Sequence, residues 1–294
     1  MDDFQQNYMP VIELEGSSYE IGFDLGVKAK KQISKTIEVY KDMCIDYTSL
    51  TWDEARLKSK GYLENIRKFD ESIYMEMVGI SEGTGFDLLD IGVINCRSEI
   101  LLGGPVTDGC TTLGIASENT ADHSPIIAQN WDWKPDILEA LIIQIIDQVG
   151  KPKIKMITEA GIVGKIGLNS SGLGVCLNAL TTGDISPSGI PLHILIRGIL
   201  NSGSLSEAVK LVVDNPIPGS VNLMLGHSNG EVIDIEIHQK QWEVINPMEG
   251  KIVHTNHFTA SKFKNNHRDA GVSLLPDSYI RYRVMNRLLN TFGN

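Results

Sequence analysis

The hydrophobic period of this chain changes at Cys110, and that change limits what the chain can fold into. Before it, apolar residues recur at helical spacing; after it, short runs rich in β-branched residues take over. Gly103-Gly104-Pro105 breaks the chain just ahead of the change. In the first part Ser17-x-x-Glu20 resembles a capping box, and Ile21, Leu25, Ala29, Ile33 and Ile37 follow every four positions, predicting one helix. Gly22 and Gly26 on that helix leave room for a second element to approach closely. Thr51-x-x-Glu54 opens another helix, and Ile73, Met77 and Ile80 mark a third that stops at Gly83 and Gly85. Asp87 caps a fourth, running through Leu88, Ile91, Ile94 and Cys96 toward Ile100.

In the second part, strands are expected over 111–116, 125–130, 142–147, 153–158, 172–180, 242–245 and 251–254. Residues 221–225 and 231–237 form a hairpin through Ser228-Asn229-Gly230, with Ile233, Ile235 and Ile237 on one side and Asp234 and Glu236 on the other. Helices are expected over 191–201, 205–214 and 278–289. No repeat, low-complexity tract or linker is visible.

The 294 residues suffice for one large domain or two small ones. With 26 Lys+Arg against 37 Asp+Glu the formal charge is −11, which disfavours nucleic acid or an anionic membrane as the main partner. Cys44, Cys96, Cys110 and Cys176 are widely spaced, which suits a reducing compartment rather than a disulfide framework or a local zinc site. Met1-Asp2-Asp3-Phe4-Gln5-Gln6 does not read as a secretory signal, and no apolar run is long enough to span a membrane. The expected location is the cytoplasm.

The chemistry-bearing stretch is Thr107-Asp108-Gly109-Cys110-Thr111-Thr112-Leu113-Gly114. Gly109 leaves its own carbonyl sterically open to the adjacent thiol. Attack there would shift the acyl group from nitrogen to sulfur and, after hydrolysis, leave Cys110 as a new N-terminus. Its α-amine and thiol, with ordinary pKa values of about 8 and 8.5, would then serve one another near neutrality. Taken alone, the stretch also fits a small buried residue at a loop-to-strand junction. Gly226-His227-Ser228-Asn229-Gly230 matches a nucleophile elbow, but a strand follows instead of a helix, so Ser228 reads as a turn residue. His254 and His257 lack further ligands at a metal-binding spacing and read as structural. Asn256 between them is placed to offer an amide N–H to an oxyanion, or simply to form a turn. Asn130-Trp131-Asp132-Trp133 ends the strand expected beside Cys110, where a carboxylate would hold the new amine.

In this order, Asp108-Gly109-Cys110-Thr111-Thr112, Gln129-Asn130-Trp131-Asp132 and His254-Thr255-Asn256-His257 resemble the isopenicillin N acyltransferase family of N-terminal nucleophile hydrolases. Further likeness lies in Ser18-Tyr19-Glu20-Ile21-Gly22, Asn95-Cys96-Arg97-Ser98-Glu99, the stretch from Thr158 to Lys165 and Leu275-Pro276-Asp277-Ser278, so it covers nearly the whole chain. The resemblance implies an α+β fold, a four-layer αββα sandwich. Residues 1–109 would be an α segment, released by self-cleavage between Gly109 and Cys110 yet still associated, and 110–294 the β segment, together one domain. It implies Cys110 as nucleophile, Asp132 as the carboxylate near the new amine, and Asn256 as the oxyanion-hole amide. Thr111 and Thr112 would be hydroxyls beside the nucleophile, with Asn130 and Trp131 as candidate substrate contacts.

The implied activity is that of a cysteine amidohydrolase or acyltransferase working through an acyl-Cys intermediate on a small acyl-amide or acyl-thioester. Its partners would be an acyl-CoA or β-lactam-like small molecule, with no resident cofactor or metal, no nucleic acid and no membrane; a homo-oligomer stays open. The alternative is a catalytically inert binding protein on the same scaffold. Family members continue past the matching final helix with further sheet residues, including a Ser-Arg pair near the substrate, whereas this sequence ends at Asn294. On that difference hydrolysis is expected to outweigh transfer.

Overall fold

The computed structural model describes residues 9–101, 109–264 and 269–292. Thr107, Asp108, the Gly103-Gly104-Pro105 break and Met1–Gln6 lie outside the described residues. The first element is a strand, β1 (Val11–Gly16), where the sequence had suggested only helix. Only Leu14 of its six residues is buried, so the strand carries too little apolar alternation to register. It is fixed from outside, by parallel pairing with a strand of the second half that sets Val11 opposite Ile143 and Gly16 opposite Gln148.

Helix α1 (Ser18–Lys28) starts in the expected capping box, with the Ser17 hydroxyl accepting from the Glu20 N–H and the Glu20 carboxylate accepting from the Ser17 N–H. The single long helix of the sequence reading is in fact two. Ala29, at φ −116° and ψ 20°, separates α1 from α2 (Lys30–Thr48), yet Ile21, Leu25, Ala29 and Ile33 all stay fully buried. One residue off helical geometry divides the helix without interrupting the apolar face. Helix α3 (Trp52–Phe69) opens in the Thr51/Glu54 box, and α4 (Glu71–Thr84) ends on Gly85 in the left-handed conformation. A Cβ on Gly22 would collide with the Glu76 carbonyl, and one on Gly79 with that of Tyr19, so α1 and α4 cross backbone to backbone. The fourth expected helix is also divided, into α5 (Leu88–Asn95) and α6 (Arg97–Leu101).

Strands β2 (Cys110–Ile115) and β3 (Ile126–Trp131) follow as an antiparallel pair. Next come β4 (Leu141–Gln148), β5 (Ile154–Glu159), a short β6 (Gly167–Asn169) absent from the sequence reading, and β7 (Leu173–Leu180). Helices α7 (Leu192–Leu200) and α8 (Leu205–Asp214) precede the hairpin of β8 (Ser220–His227) and β9 (Val232–His238), and Ser228 sits in its turn. Strands β10 (Gln241–Ile245) and β11 (Lys251–His254), short helices α9 (Ser261–Lys264) and α10 (Gly271–Leu274), and α11 (Ser278–Phe292) complete the chain.

Among the described residues the strands form two sheets, β1-β4-β5-β6-β7-β8-β9-β10 and β11-β2-β3. Helices α1, α2, α7 and α8 lie against one face of the large sheet, and β2 and β3 pack on its other face over β7 and β8. Helix α11 covers β11 from outside. The order of layers is therefore αββα, in an α+β fold. Cys176, Met224, Val232 and Ile252 fill part of the space between the sheets. The polar side of β9 points into that same space, so Asp234 and Glu236 are fully buried instead of solvated. Alternation separated the two faces correctly; the second sheet is what made both of them interior.

Candidate active site

Cys110 is the first residue of β2, paired with Trp131 at the end of β3. Both neighbours of its Gly109 peptide are held. The Gly109 carbonyl accepts the Asp132 backbone N–H at 2.8 Å, and the Cys110 N–H donates to Asn256 Oδ1 at 2.8 Å. Asn256 is buried just beyond β11, with its own N–H on the Ser278 hydroxyl and its Nδ2 donating to the Ala179 carbonyl at 3.0 Å. These partners fix the amide's orientation: its oxygen meets the Cys110 backbone N–H, and Nδ2 turns toward Ala179.

Ser278 opens α11, and one turn later Arg281 reaches back across the site. Its Nη1 donates to the Cys110 carbonyl at 2.6 Å and to the Thr111 hydroxyl at 3.1 Å, and its Nη2 donates to Asn256 Oδ1 at 3.0 Å. Asp277 holds the Arg281 Nε at 2.7 Å. Sequence reasoning named Thr111 and Asn256 but missed Arg281. Its only signal was the i, i+4 pairing with Asp277 in a helix start that otherwise looked solvent-facing.

The thiol side is a cavity of about 40 Å³ lined by Arg97, Ser98, Cys110, Trp131, Lys165 and His193, among others. Behind it lies a buried ion cluster. Glu159, fully buried at the end of β5, is bound by Lys165 Nζ at 3.2 Å, Arg97 Nη2 at 3.1 Å and the Tyr40 hydroxyl at 2.8 Å. Lys165 Nζ also lies 4.3 Å from the centre of the Trp131 ring, and the Arg97 guanidinium 5.0 Å from that of Trp133. Asn95 ties α5 to the loop carrying Lys165, donating to the Gly161 carbonyl and accepting the Val163 N–H. Arg97 and Lys165 lie within stretches that the sequence singled out, but nothing local showed that they converge on Glu159.

Burial alone would raise the Glu159 carboxyl, but Lys165 and Arg97 hold it below the usual carboxylate range. Burial, then the Arg97 charge, push the Lys165 ammonium down to about 8 against the pull of Glu159. Burial also pushes the Cys110 thiol up, opposed by Lys165, the Gln129 side-chain amide, the Ala179 backbone N–H and Arg281. Among the described residues lining the cavity, Lys165 is an ammonium lowered toward neutrality, and His193 is an imidazole that burial keeps neutral.

The remaining expected residues fall into two groups. Thr112 is buried and donates to Asn178 Oδ1 at 2.6 Å, joining a polar seam between the sheets that includes Asn222, Asp234, Glu236 and His254. Two residues on from Cys110, it lies on the same face of β2, toward the large sheet. Asn130 and the Asp132 side chain are exposed, and it is the backbone of Asp132, not its carboxylate, that meets the Gly109–Cys110 peptide in the intact chain. His254 bonds Glu236 at 2.8 Å and His257 bonds Ser278 at 2.8 Å. Among the described residues no group of three or more His, Cys, Asp or Glu could hold a metal ion, and no helix is long and apolar enough to cross a membrane.

Residues 118–294 match the family model of acyl-coenzyme A:6-aminopenicillanic acid acyl-transferase, a match that begins just past β2. The acyl-coenzyme A:6-aminopenicillanic-acid-acyltransferase 40 kDa form of Emericella nidulans is 34% identical over 286 residues, covering 96% of this chain and 77% of that protein. Among solved structures, penicillin V acylase from Agrobacterium tumefaciens is similar over 50% of this chain and 44% of that one, at 15% identity and a TM-score of 0.28.

Proposed function

Because the chain belongs to the acyl-coenzyme A:6-aminopenicillanic acid acyl-transferase family, we propose that it is an acyl-transfer enzyme that matures by cutting itself between Gly109 and Cys110. The observation that carries this reading is the treatment of that one peptide, whose carbonyl rests on the Asp132 N–H and whose nitrogen rests on Asn256. Before cleavage the Cys110 nitrogen is an amide and cannot act as a base. Lys165, in the same cavity, takes the thiol proton instead. The thiolate attacks the Gly109 carbonyl carbon, and the Asp132 N–H stabilises the oxyanion. The C–N bond then breaks, the nitrogen gains a proton as the Cys110 α-amine, and the Gly109 acyl group stays on sulfur. Water hydrolyses that thioester, giving a Gly109 carboxylate and a free Cys110 thiol.

In turnover the same thiol, now beside its own amine, accepts an acyl group from a small amide or an acyl-CoA and passes it to water or to an amine such as a β-lactam amine. The second N–H of Asn256 Nδ2 is the oxyanion donor, and the Asp132 carboxylate steadies the amine once the chain end is free to turn toward it. Segments 1–109 and 110–294 stay together. What supports this is β1 paired to β4, the Arg97–Glu159 ion pair and the buried Glu76–Arg197 ion pair at 2.7 Å, all of which join one segment to the other.

Mass spectrometry of the purified chain tests the reading. Fragments 1–109 and 110–294 are expected without added protease, with Cys110→Ala left whole. A folded wild-type chain that stays at 32.4 kDa after long incubation refutes self-cleavage.

A further inference from the structure

One buried donor beside the thiol has no task in the steps derived so far. Gln129 pairs with Thr112 across β2 and β3, and Cys110 lies two residues before Thr112, so Gln129 is the diagonal neighbour of Cys110 on the same face of the small sheet. A long side chain spans that diagonal. Strand β6 runs along β7 only as far as Val175, which leaves the next N–H groups on that edge, those of Leu177 and Ala179, outside the ladder. The Leu177 N–H donates instead to Gln129 Oε1 at 2.9 Å. That bond fixes the amide, because an N–H can only meet its oxygen, and Nε2 turns the other way. Gln129 Nε2 is buried with no hydrogen-bond partner among the described residues.

A buried donor left unbonded is costly to keep unless some state of the protein uses it. A neutral thiol is a weak acceptor, whereas a thiolate is a charged and strong one. The Gln129 amide favours the charged form of Cys110, as does the Ala179 N–H, against the burial that pushes the thiol up. The cations around the sulfur are Lys165 after β5, Arg97 on α6 and Arg281 on α11, with neutral His193 on α7 and the Cys176 thiol on β7 also near. Each of those cations is already bonded to a carboxylate, Lys165 and Arg97 to Glu159 and Arg281 to Asp277. Gln129 Nε2 has no such commitment.

We propose that Gln129 is a further catalytic residue, whose Nε2 donates to the Cys110 thiolate and holds the sulfur in its nucleophilic form before attack and again each time it leaves an acyl group. The proposal rests on the reading of Cys110 as the nucleophile. Gln129 gives up no proton, and in self-cleavage the thiol proton still passes to Lys165.

The ultraviolet absorbance of the thiolate, titrated against pH with the matching Cys110→Ala chain as blank, reads the contact directly. Comparisons are made between chains of the same form, all whole or all cleaved. Gln129→Met removes both ends of the amide, whereas Gln129→Glu keeps an oxygen for the Leu177 N–H and removes only the donor. Both should raise the Cys110 midpoint by at least about one pH unit and slow the release of fragment 110–294 at about pH 7 at least tenfold. An unmoved midpoint in either variant overturns the proposal, and undiminished self-cleavage overturns the catalytic role. A shift in Gln129→Met that Gln129→Glu does not share also overturns it, leaving Gln129 as the anchor of Leu177 alone. If the midpoints move as expected but wild-type Cys110 neither cleaves the chain nor takes an acyl group from an acyl-CoA, the nucleophile reading fails while the contact between Gln129 and sulfur stands.

Discussion

Gly109→Ala reads the geometry of the site directly. A Cβ at residue 109 would stand 2.9 Å from Arg281 Nη2 and 3.3 Å from its Cζ. The guanidinium ends a flexible side chain that is 22% exposed, so it can swing away and the clash itself need not unfold anything. Swinging away, however, breaks its 2.6 Å bond to the Cys110 carbonyl and its 3.0 Å bond to Asn256 Oδ1. Hydrogen bonds to charged groups contribute about 1.5–3 kcal/mol each, and partial exposure places these two at the lower end. Losing both removes about 3 kcal/mol of positioning, or roughly a hundredfold in rate if the transition state feels all of it. The assay is the initial rate at which fragment 110–294 forms, followed by mass spectrometry. Gly109→Ala and Arg281→Ala should each slow cleavage by about that factor. The double variant should be no slower than Arg281→Ala alone, because the new methyl then has nothing to displace. Additive losses, or wild-type cleavage in Gly109→Ala, would refute the claim that the glycine is there to admit Arg281.

Lys165→Met removes one of the two cations on buried Glu159 and should cost about 3–5 kcal/mol in denaturant titration while slowing self-cleavage. Adding Glu159→Gln should restore much of the stability but not the rate, and a rate that recovers too would remove Lys165 from the chemistry. Asn256→Ala should fold and cleave in part yet lose about a hundred- to a thousandfold in turnover of an acyl donor; near-normal turnover would reduce Asn256 to a strand-end anchor. Burial lifts Asp234 to about 7, against His254 and the Asn222 amide, so the folded chain keeps a proton that the unfolded chain releases near pH ~4. That contribution is complete below the unfolded value and vanishes as pH rises through about 7. His254, raised by Asp234 and Glu236 against burial, acts in the same direction. Asp234→Asn should therefore flatten the fall in melting temperature between about pH 4 and 7, and an unchanged slope would assign that fall to other groups.

The sequence by itself determined what depends on neighbours a few residues apart. The Ser17/Glu20 and Thr51/Glu54 caps, the Gly85 stop and the 220–238 hairpin all formed where the local pattern put them, because each is closed by bonds across two to four residues. The Gly109-Cys110 pair and Asn256 were legible for a related reason: flexibility, thiol chemistry and an amide near a strand end are properties of the residues themselves. What the sequence left undecided needed partners far along the chain. Strand β1 exists because β4, some 130 residues later, supplies its hydrogen bonds. The inward side of β9 is buried because a second sheet lies over it, with His254 bonded to Glu236. Arg281 meets Cys110 across 171 positions, and Lys165 meets Arg97 only through Glu159. An ion pair imposes no period on its sequence, and a long charged side chain reads the same whether it ends in solvent or beside a thiol. Only the packing of helices on both outer faces of two stacked sheets brought those charges within bonding distance, and burial there gave them the strength to fix the site.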